Sequence, residues 1–340
     1  MQRLYISVVK KKCVDVTLIT LISSKEILVT KQNFTMKKLL IVILFTIPYL
    51  LVDAQEMHIK TSDGVDLYVK VKGEGTPCLY IHGGPGSGSY WLEKFSGDML
   101  EKHFKMIYLD QRGVSRSTSP ADGNYSMDRM VRDFEEVRAA LGIKEWLTLG
   151  HSFGGILQMG YSERHPEAIK GMLMICCGLD MNEALSEVVP KACEFLGISD
   201  IKPYTDKSLS SEERMIRISG LYGQLREKNL FWKMGYADYH NIELMNATFD
   251  EIPAWNKDFE NVAMSVKDYT IGYKDKTASM QMPVLFFYGK TDFMVGPNHY
   301  KKVNFPNMIL WGSNVGHIPF IENKPDLEKA LISFQNKYKM

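Results

Sequence analysis

The sequence predicts an α/β protein: a parallel sheet interrupted by a helical insertion. Three observations carry this. From about residue 55, short apolar runs bounded by turn residues alternate with amphipathic stretches, the rhythm that builds a parallel sheet flanked by helices. Between residues 181 and 280 that rhythm gives way to a segment rich in Met, Tyr, Trp and charge, with helical periodicity and no strong strand. At Pro283 the strand pattern resumes. Residues 55–180 and 281–340 are therefore expected to form the core, and residues 181–280 a helical cap.

The elements follow in order. Residues 57–60 and 67–72 read as a hairpin across Asp63-Gly64. Residues 78–81 and 106–109 are apolar runs of the kind that form buried parallel strands. Ser126 can cap a helix whose apolar positions Met127, Met130, Val131, Phe134, Val137 and Leu141 keep helical spacing, with Gly142 as its stop. Residues 146–149 form a strand and 153–164 a helix, and residues 172–175 form the next strand. After the cap come strands at 283–288 and 308–311 and a last helix at 325–338.

Upstream of residue 55 the sequence reads as an address. Met36-Lys37-Lys38 leads into the apolar run 39–51, and Val52-Asp53-Ala54 presents small or aliphatic residues at the two positions a signal peptidase reads. The run contains Pro48 and falls short of the ~20 residues a membrane-spanning helix needs. Residues 36–54 are expected to be a signal peptide cleaved after Ala54. The mature chain would then be exported, to a periplasm or beyond the cell, with no stable membrane anchor. Residues 1–35 precede a complete signal, so the expectation is that translation starts at Met36 and that they are untranslated or disordered.

Composition excludes several classes. A net charge of +1 with no basic stripe argues against a nucleic-acid partner. Cys78, Cys176, Cys177 and Cys193 sit in or near apolar runs without a disulfide framework and are expected to be buried free thiols. No C-x-x-C or H-x-x-x-H spacing suggests a metal. Gly289-Lys290-Thr291 imitates the end of a phosphate loop, but Val284 occupies the position of its first glycine.

The chemistry begins at Gly150-His151-Ser152-Phe153-Gly154, between a strand and a helix. This is the form of a nucleophile elbow, G-x-S-x-G, whose serine sits on a tight, strained turn with its hydroxyl exposed. A serine needs a base, a group that orients the base, and an oxyanion hole. Where such an elbow carries the nucleophile, an acid and then a histidine follow in chain order. Of eight histidines only His240, His299 and His317 lie well downstream. His317 occupies a loop between the last strand and the last helix, where parallel sheets keep catalytic groups, and is the expected base, with His299 the rival. Asp292 follows the strand ending at Tyr288 and precedes His317 by 25 residues; it is the expected acid, with Asp180 the rival. The oxyanion donors are expected to be the N–H of Phe153 and, from the loop His82-Gly83-Gly84-Pro85-Gly86, that of Gly84, because Pro85 has none.

The His82–Gly86 loop, Asp110-Gln111-Arg112-Gly113 and the run from Gly150 to Gly155 together resemble the proline iminopeptidase (prolyl aminopeptidase) family of α/β hydrolases. The resemblance covers most of the mature chain. It implies the α/β-hydrolase fold, a mostly parallel eight-stranded sheet with a helical cap inserted after the sixth strand. It also implies no cofactor, and Ser152, Asp292 and His317 as the triad. The substrate would be a short peptide with an N-terminal proline or small residue. Two departures stand out. Val114-Ser115-Arg116-Ser117 follows the Asp-Gln-Arg-Gly motif where the family continues with glycine and serine. The Gly-x-Asn-Glu segment that holds the substrate amine in the family is missing; Glu183, Glu187, Glu194, Glu243 and Glu251 are the cap carboxylates weighed in its place. An apolar cap suits an acyl chain as well as a proline ring, so a carboxylic ester, lactone or acylglycerol is the alternative substrate. A non-catalytic binding protein on the same fold is the third reading.

Overall fold

The computed structural model describes residues 55–340 apart from 207, 253 and 254. The expected signal peptide and the segment before it lie outside the described residues. The hairpin is β1 (Gln55–Lys60) and β2 (Asp66–Lys72), followed by β3 (Thr76–Ile81), α1 (Tyr90–Leu100), β4 (Phe104–Leu109), α2 (Met127–Ala140), β5 (Trp146–His151), α3 (Gly154–Arg164) and β6 (Ile169–Ile175). The insertion contributes α4 (Met181–Leu196), α5 (Lys202–Thr205), α6 (Ser211–Glu227), α7 (Trp232–Gly235), α8 (Tyr239–Asn246) and α9 (Asp258–Val262), then short 3-10 turns to Ser279. The core resumes with β7 (Val284–Gly289), β8 (Met308–Ser313), α10 (Pro319–Glu322) and α11 (Lys324–Tyr338).

Eight strands form one sheet in the order β1-β2-β4-β3-β5-β6-β7-β8. β1 and β2 pair antiparallel, as do β2 and β4, and every later pairing is parallel. Side chains alternate across a strand, so each central strand feeds two cores. Leu79, Ile81, Ile107 and Leu109 pack with Met130 and Phe134 of α2 and Leu157 of α3. Cys78, Tyr80, Met106 and Tyr108 pack on the other face with Leu92 of α1 and Leu331 and Phe334 of α11. A third cluster, Val188, Ala192, Ile218, Leu221 and Met234, holds the cap together. All four described cysteines are buried free thiols.

The sequence reading lacks α1 and the single turn α10; α1 is the larger omission. Its apolar positions keep helical spacing, but Ser89 before it makes no side-chain cap bond to the helix. The Ser89 hydroxyl instead donates to Asp110 Oδ1 at 2.8 Å, so the start signal is spent on a tertiary contact.

The segment 110–113 is a structural bracket. Arg112 is fully buried and grips Asp133 with two bonds, Nε to Oδ2 at 2.6 Å and Nη2 to Oδ1 at 2.8 Å. Its Nη1 donates to Asp63 at 2.9 Å and to the Asn124 carbonyl at 2.9 Å. Arg129 also pairs with Asp133, at 2.6 Å. Burial pushes the Asp133 carboxyl above its ordinary value although both guanidinium groups pull it down. A buried pair is costly to break from one side because the remaining charge loses its partner. Arg112→Met is therefore expected to lower the unfolding free energy by about 3 kcal/mol, read from urea titration. Arg112→Met/Asp133→Leu should be more stable than the single variant, and a single variant as stable as wild type would contradict the bracket.

Candidate active site

Ser152 stands at the turn between β5 and α3 with a φ of 54°, a left-handed conformation that costs a non-glycine residue energy and persists only where its surroundings enforce it. They do so by crowding. A Cβ on Gly154 would lie 2.1 Å from the Ile81 carbonyl oxygen, and one on Gly150 would lie 2.1 Å from Gln158 Oε1. The Ser152 N–H donates to the Ile175 carbonyl of β6. The side chain is half-buried.

Asp292, fully buried, occupies the turn after β7. Its Oδ1 accepts the N–H groups of Met294 at 3.0 Å and Val295 at 3.3 Å, leaving Oδ2 for His317 Nδ1 at 2.8 Å. Burial raises the carboxyl, but the His317 charge and hydrogen bond outweigh it and hold Asp292 below the usual carboxylate range. The pairing assigns a proton to His317 Nδ1 and leaves Nε2 for other work. His317 and Ser152 line one chamber, and among the described residues the Ser152 hydroxyl has no hydrogen-bond partner.

The His317 loop is held from four sides. His317 N–H donates to the Gly235 carbonyl of the cap at 2.7 Å. Its carbonyl accepts His151 Nε2 at 2.8 Å. The N–H groups on either side of it, Gly316 and Ile318, donate to the Glu322 carboxylate at 3.1 and 3.2 Å. The same carboxylate takes the Ala237 N–H of the cap at 2.8 Å. Glu322 escaped the sequence reading, and its position five residues after His317, on the next helical turn, is the signal that could have found it.

The rivals are occupied elsewhere. His299 is buried, with Nδ1 on the Gly296 carbonyl at 2.6 Å, in a separate small cavity beside Glu183 and Lys274. Asp180 caps α4 by accepting the Glu183 N–H at 3.0 Å. His240 is exposed on α8 beside Glu243.

The loop 82–86 runs directly against the elbow: a Cβ on Gly83 would sit 2.7 Å from Ser152 Cβ. Among the described residues neither the Gly84 nor the Phe153 N–H is committed to a protein acceptor. The bracket segment holds the start of this loop at His82 and the chain beyond it at Ser89. Gln111 donates its backbone N–H to His82 Nε2 at 3.1 Å and its side-chain amide to the His82 carbonyl at 3.1 Å. Asp110 accepts the Ser89 N–H at 2.7 Å and pairs with Arg116 at 2.7 Å. Arg116, in the stretch that departs from the family pattern, thus closes the bracket.

The chamber has a volume of about 1230 Å³, above the roughly 300–1,000 Å³ of ordinary small-molecule pockets. Trp91 and Trp255 stack in its wall with ring centres 4.8 Å apart, and Trp255 Nε1 donates to the Gly86 carbonyl at 3.2 Å. None of the five cap carboxylates weighed from sequence lines it. Glu183 pairs with Lys274, Glu194 with Lys191 and Glu251 with Lys94. Glu187 accepts the Asn298 N–H, and Glu243 faces His240. The carboxylate in the chamber is Glu260 of α9. A Cβ on Gly86 would lie 2.9 Å from Glu260 Cβ and 3.6 Å from its Oε2, and among the described residues no cation pairs with it. Glu260 was missed because Asp258 and Glu260 flank a buried Phe259 like any solvated helix face.

A family model described as the alpha/beta hydrolase fold matches residues 76–324. A proline iminopeptidase of Neisseria meningitidis is 35% identical over 121 residues, 34% of this chain and 38% of that protein. The chain thus matches little more than a third of that curated relative's length. A proline iminopeptidase-related protein from Thermus thermophilus superposes with a TM-score of 0.68 at 19% identity, over 84% of this chain and 98% of that one. An esterase from Exiguobacterium antarcticum gives 0.61 at 20%, over 84% and 100%. At these identities the structural likeness is one of fold.

Two histidines make the site sensitive to acid. His82 is fully buried and His151 nearly so; burial, the largest influence on each, pushes them from the ordinary 6.5 down to about 4 and about 3. Both stay neutral in the folded protein while the unfolded chain takes up protons below about 6.5. Stability therefore falls with pH between about 6.5 and 4. Thermal midpoints measured across that range should drop toward acid, and His82→Gln should flatten the slope.

Proposed function

This chain belongs to the alpha/beta hydrolase family, and from that premise we propose that it is an exported serine hydrolase, an aminopeptidase that releases an N-terminal proline or small residue from short peptides through an acyl-enzyme. In this reading Ser152 Oγ attacks the first peptide carbonyl as its proton passes to His317 Nε2. The N–H groups of Gly84 and Phe153 receive the oxyanion. Asp292 holds the imidazolium through Nδ1–H without itself taking the proton. Collapse breaks the C–N bond, and His317 returns the proton to the departing amine. A water molecule then gives a proton to His317 and its oxygen to the acyl carbon, and Ser152 recovers its hydrogen.

The observation that carries the peptide reading is Glu260. An unpaired carboxylate over Gly86, two residues from the oxyanion donor Gly84, suits a substrate ammonium adjacent to the carbonyl under attack. Trp255 beside it offers an aromatic surface for a small ring. The names of the similar proteins agree with peptide hydrolysis. The apolar wall favours a second reading, a carboxylesterase, lactonase or acylglycerol lipase with the same three residues, and the neighbour from Exiguobacterium antarcticum is called an esterase.

The test is turnover of proline p-nitroanilide beside p-nitrophenyl butyrate by wild type, Ser152→Ala and Glu260→Gln. Ser152→Ala should lose several orders of magnitude on both substrates. Glu260→Gln should raise KM for the proline amide about tenfold or more, the scale of one charged contact, with a far smaller effect on the ester. Ester turnover alone would move the protein to the second reading, and turnover by neither would point to a binding protein.

A further inference from the structure

We propose that the chamber holds a second, oppositely charged anchor: Arg226 binds the free C-terminal carboxylate of the peptide, so the preferred substrates are short zwitterionic peptides rather than the N-terminal ends of long chains. This rests on the aminopeptidase reading and specifies its substrate.

Arg226 stands in the last turn of α6, the cap helix whose Ile218 and Tyr222 also line the chamber. Its guanidinium carbon sits 4.3 Å from the centre of the Phe231 ring, another lining residue. Among the described residues no carboxylate pairs with it. A guanidinium laid on an aromatic face is partly ordered before a ligand arrives, which lowers the entropy cost of binding. Its planar fork matches a carboxylate with two parallel bonds. Both charges come from the insertion: Glu260 of α9 lies against the oxyanion loop at Gly86, and Arg226 lies on α6. A peptide held by both would place its ammonium at the oxyanion loop and its carboxylate at α6.

Volume and charge agree. About 1230 Å³ is more than a single proline requires, so several residues can enter. Among the described residues the lining holds two cations without an ion-pair partner, Arg226 and Lys257, against one carboxylate, Glu260. Lys257 is the weaker carboxylate anchor. It lies three residues from Glu260 at the start of α9, on neighbouring positions of one helical turn, where an incoming carboxylate would be repelled by Glu260.

The test compares kcat/KM for prolyl-leucyl-glycine with that for its C-terminal amide, using wild type, Arg226→Gln and Lys257→Gln. Wild type should favour the free acid about tenfold, as expected for one partly exposed charge-assisted contact. Arg226→Gln should bring the acid-to-amide ratio close to one, and Lys257→Gln should leave it near the wild-type value. A ratio of one in wild type, with both peptides cleaved, overturns the carboxylate anchor while leaving the aminopeptidase reading in place. A tenfold ratio that survives in Arg226→Gln, or vanishes only in Lys257→Gln, also overturns the assignment to Arg226. Failure to cleave either peptide while p-nitrophenyl butyrate is hydrolysed overturns the aminopeptidase reading, and the anchor with it.

Discussion

The close approach of the β5–α3 turn to the end of β3 governs the rest of the site. Ser152 holds a left-handed backbone because the first turn of α3 lies on the Ile81 carbonyl and the loop after β3 lies on the serine itself. That contact does two things at once. It lifts the hydroxyl out of the sheet, and it brings the loop 82–86 beside the carbonyl that the hydroxyl would attack. The order of the central strands makes it possible, since β3 and β5 are direct neighbours in the sheet.

The loop 82–86 has little structure of its own, so its position is imposed from outside. Gln111 holds its start at His82, and Asp110 with Arg116 holds the chain beyond it at Ser89. Arg112 ties the same segment to Asp133 and Asp63. Buried charges of this kind add little net stability but penalise any arrangement that leaves them unpaired. Here they set the position of backbone N–H groups that no side chain fixes. The His317 loop is controlled in a similar way, by Glu322 and by the Gly235 carbonyl. Because Glu322 also binds Ala237, movement of the cap at residues 235–237 is coupled mechanically to the loop that carries His317.

The chamber divides its tasks between surfaces. Aromatic and methionine side chains supply area without direction, while Glu260, Lys257 and Arg226 supply charge at defined points. Shape and area alone would accept an acyl chain as readily as a peptide. Selectivity therefore depends on whether those charges meet partners or are covered without them.

Much of the fold was legible because it rests on local pattern. Apolar runs marked the strands, Ser126 and the helical spacing after it marked α2, and the loss of strand pattern after residue 180 marked the insertion. Ser152, Asp292 and His317 could be singled out because each follows a strand, where chain order and sheet topology limit the choice. Helix α1 was missed because Ser89 spends its hydroxyl on Asp110. Glu260 stays exposed even where it borders the chamber, so nothing in its neighbours along the chain set it apart, and Glu322 had no visible reason to matter. The sequence by itself determined the order of elements and the residues at the strand ends, since periodicity and turn chemistry are properties of neighbours along the chain. Only the tertiary structure decided which carboxylate faces the chamber, which histidine meets Asp292 and what holds each loop, because those outcomes depend on contacts between segments as far apart as Gly86 and Glu260.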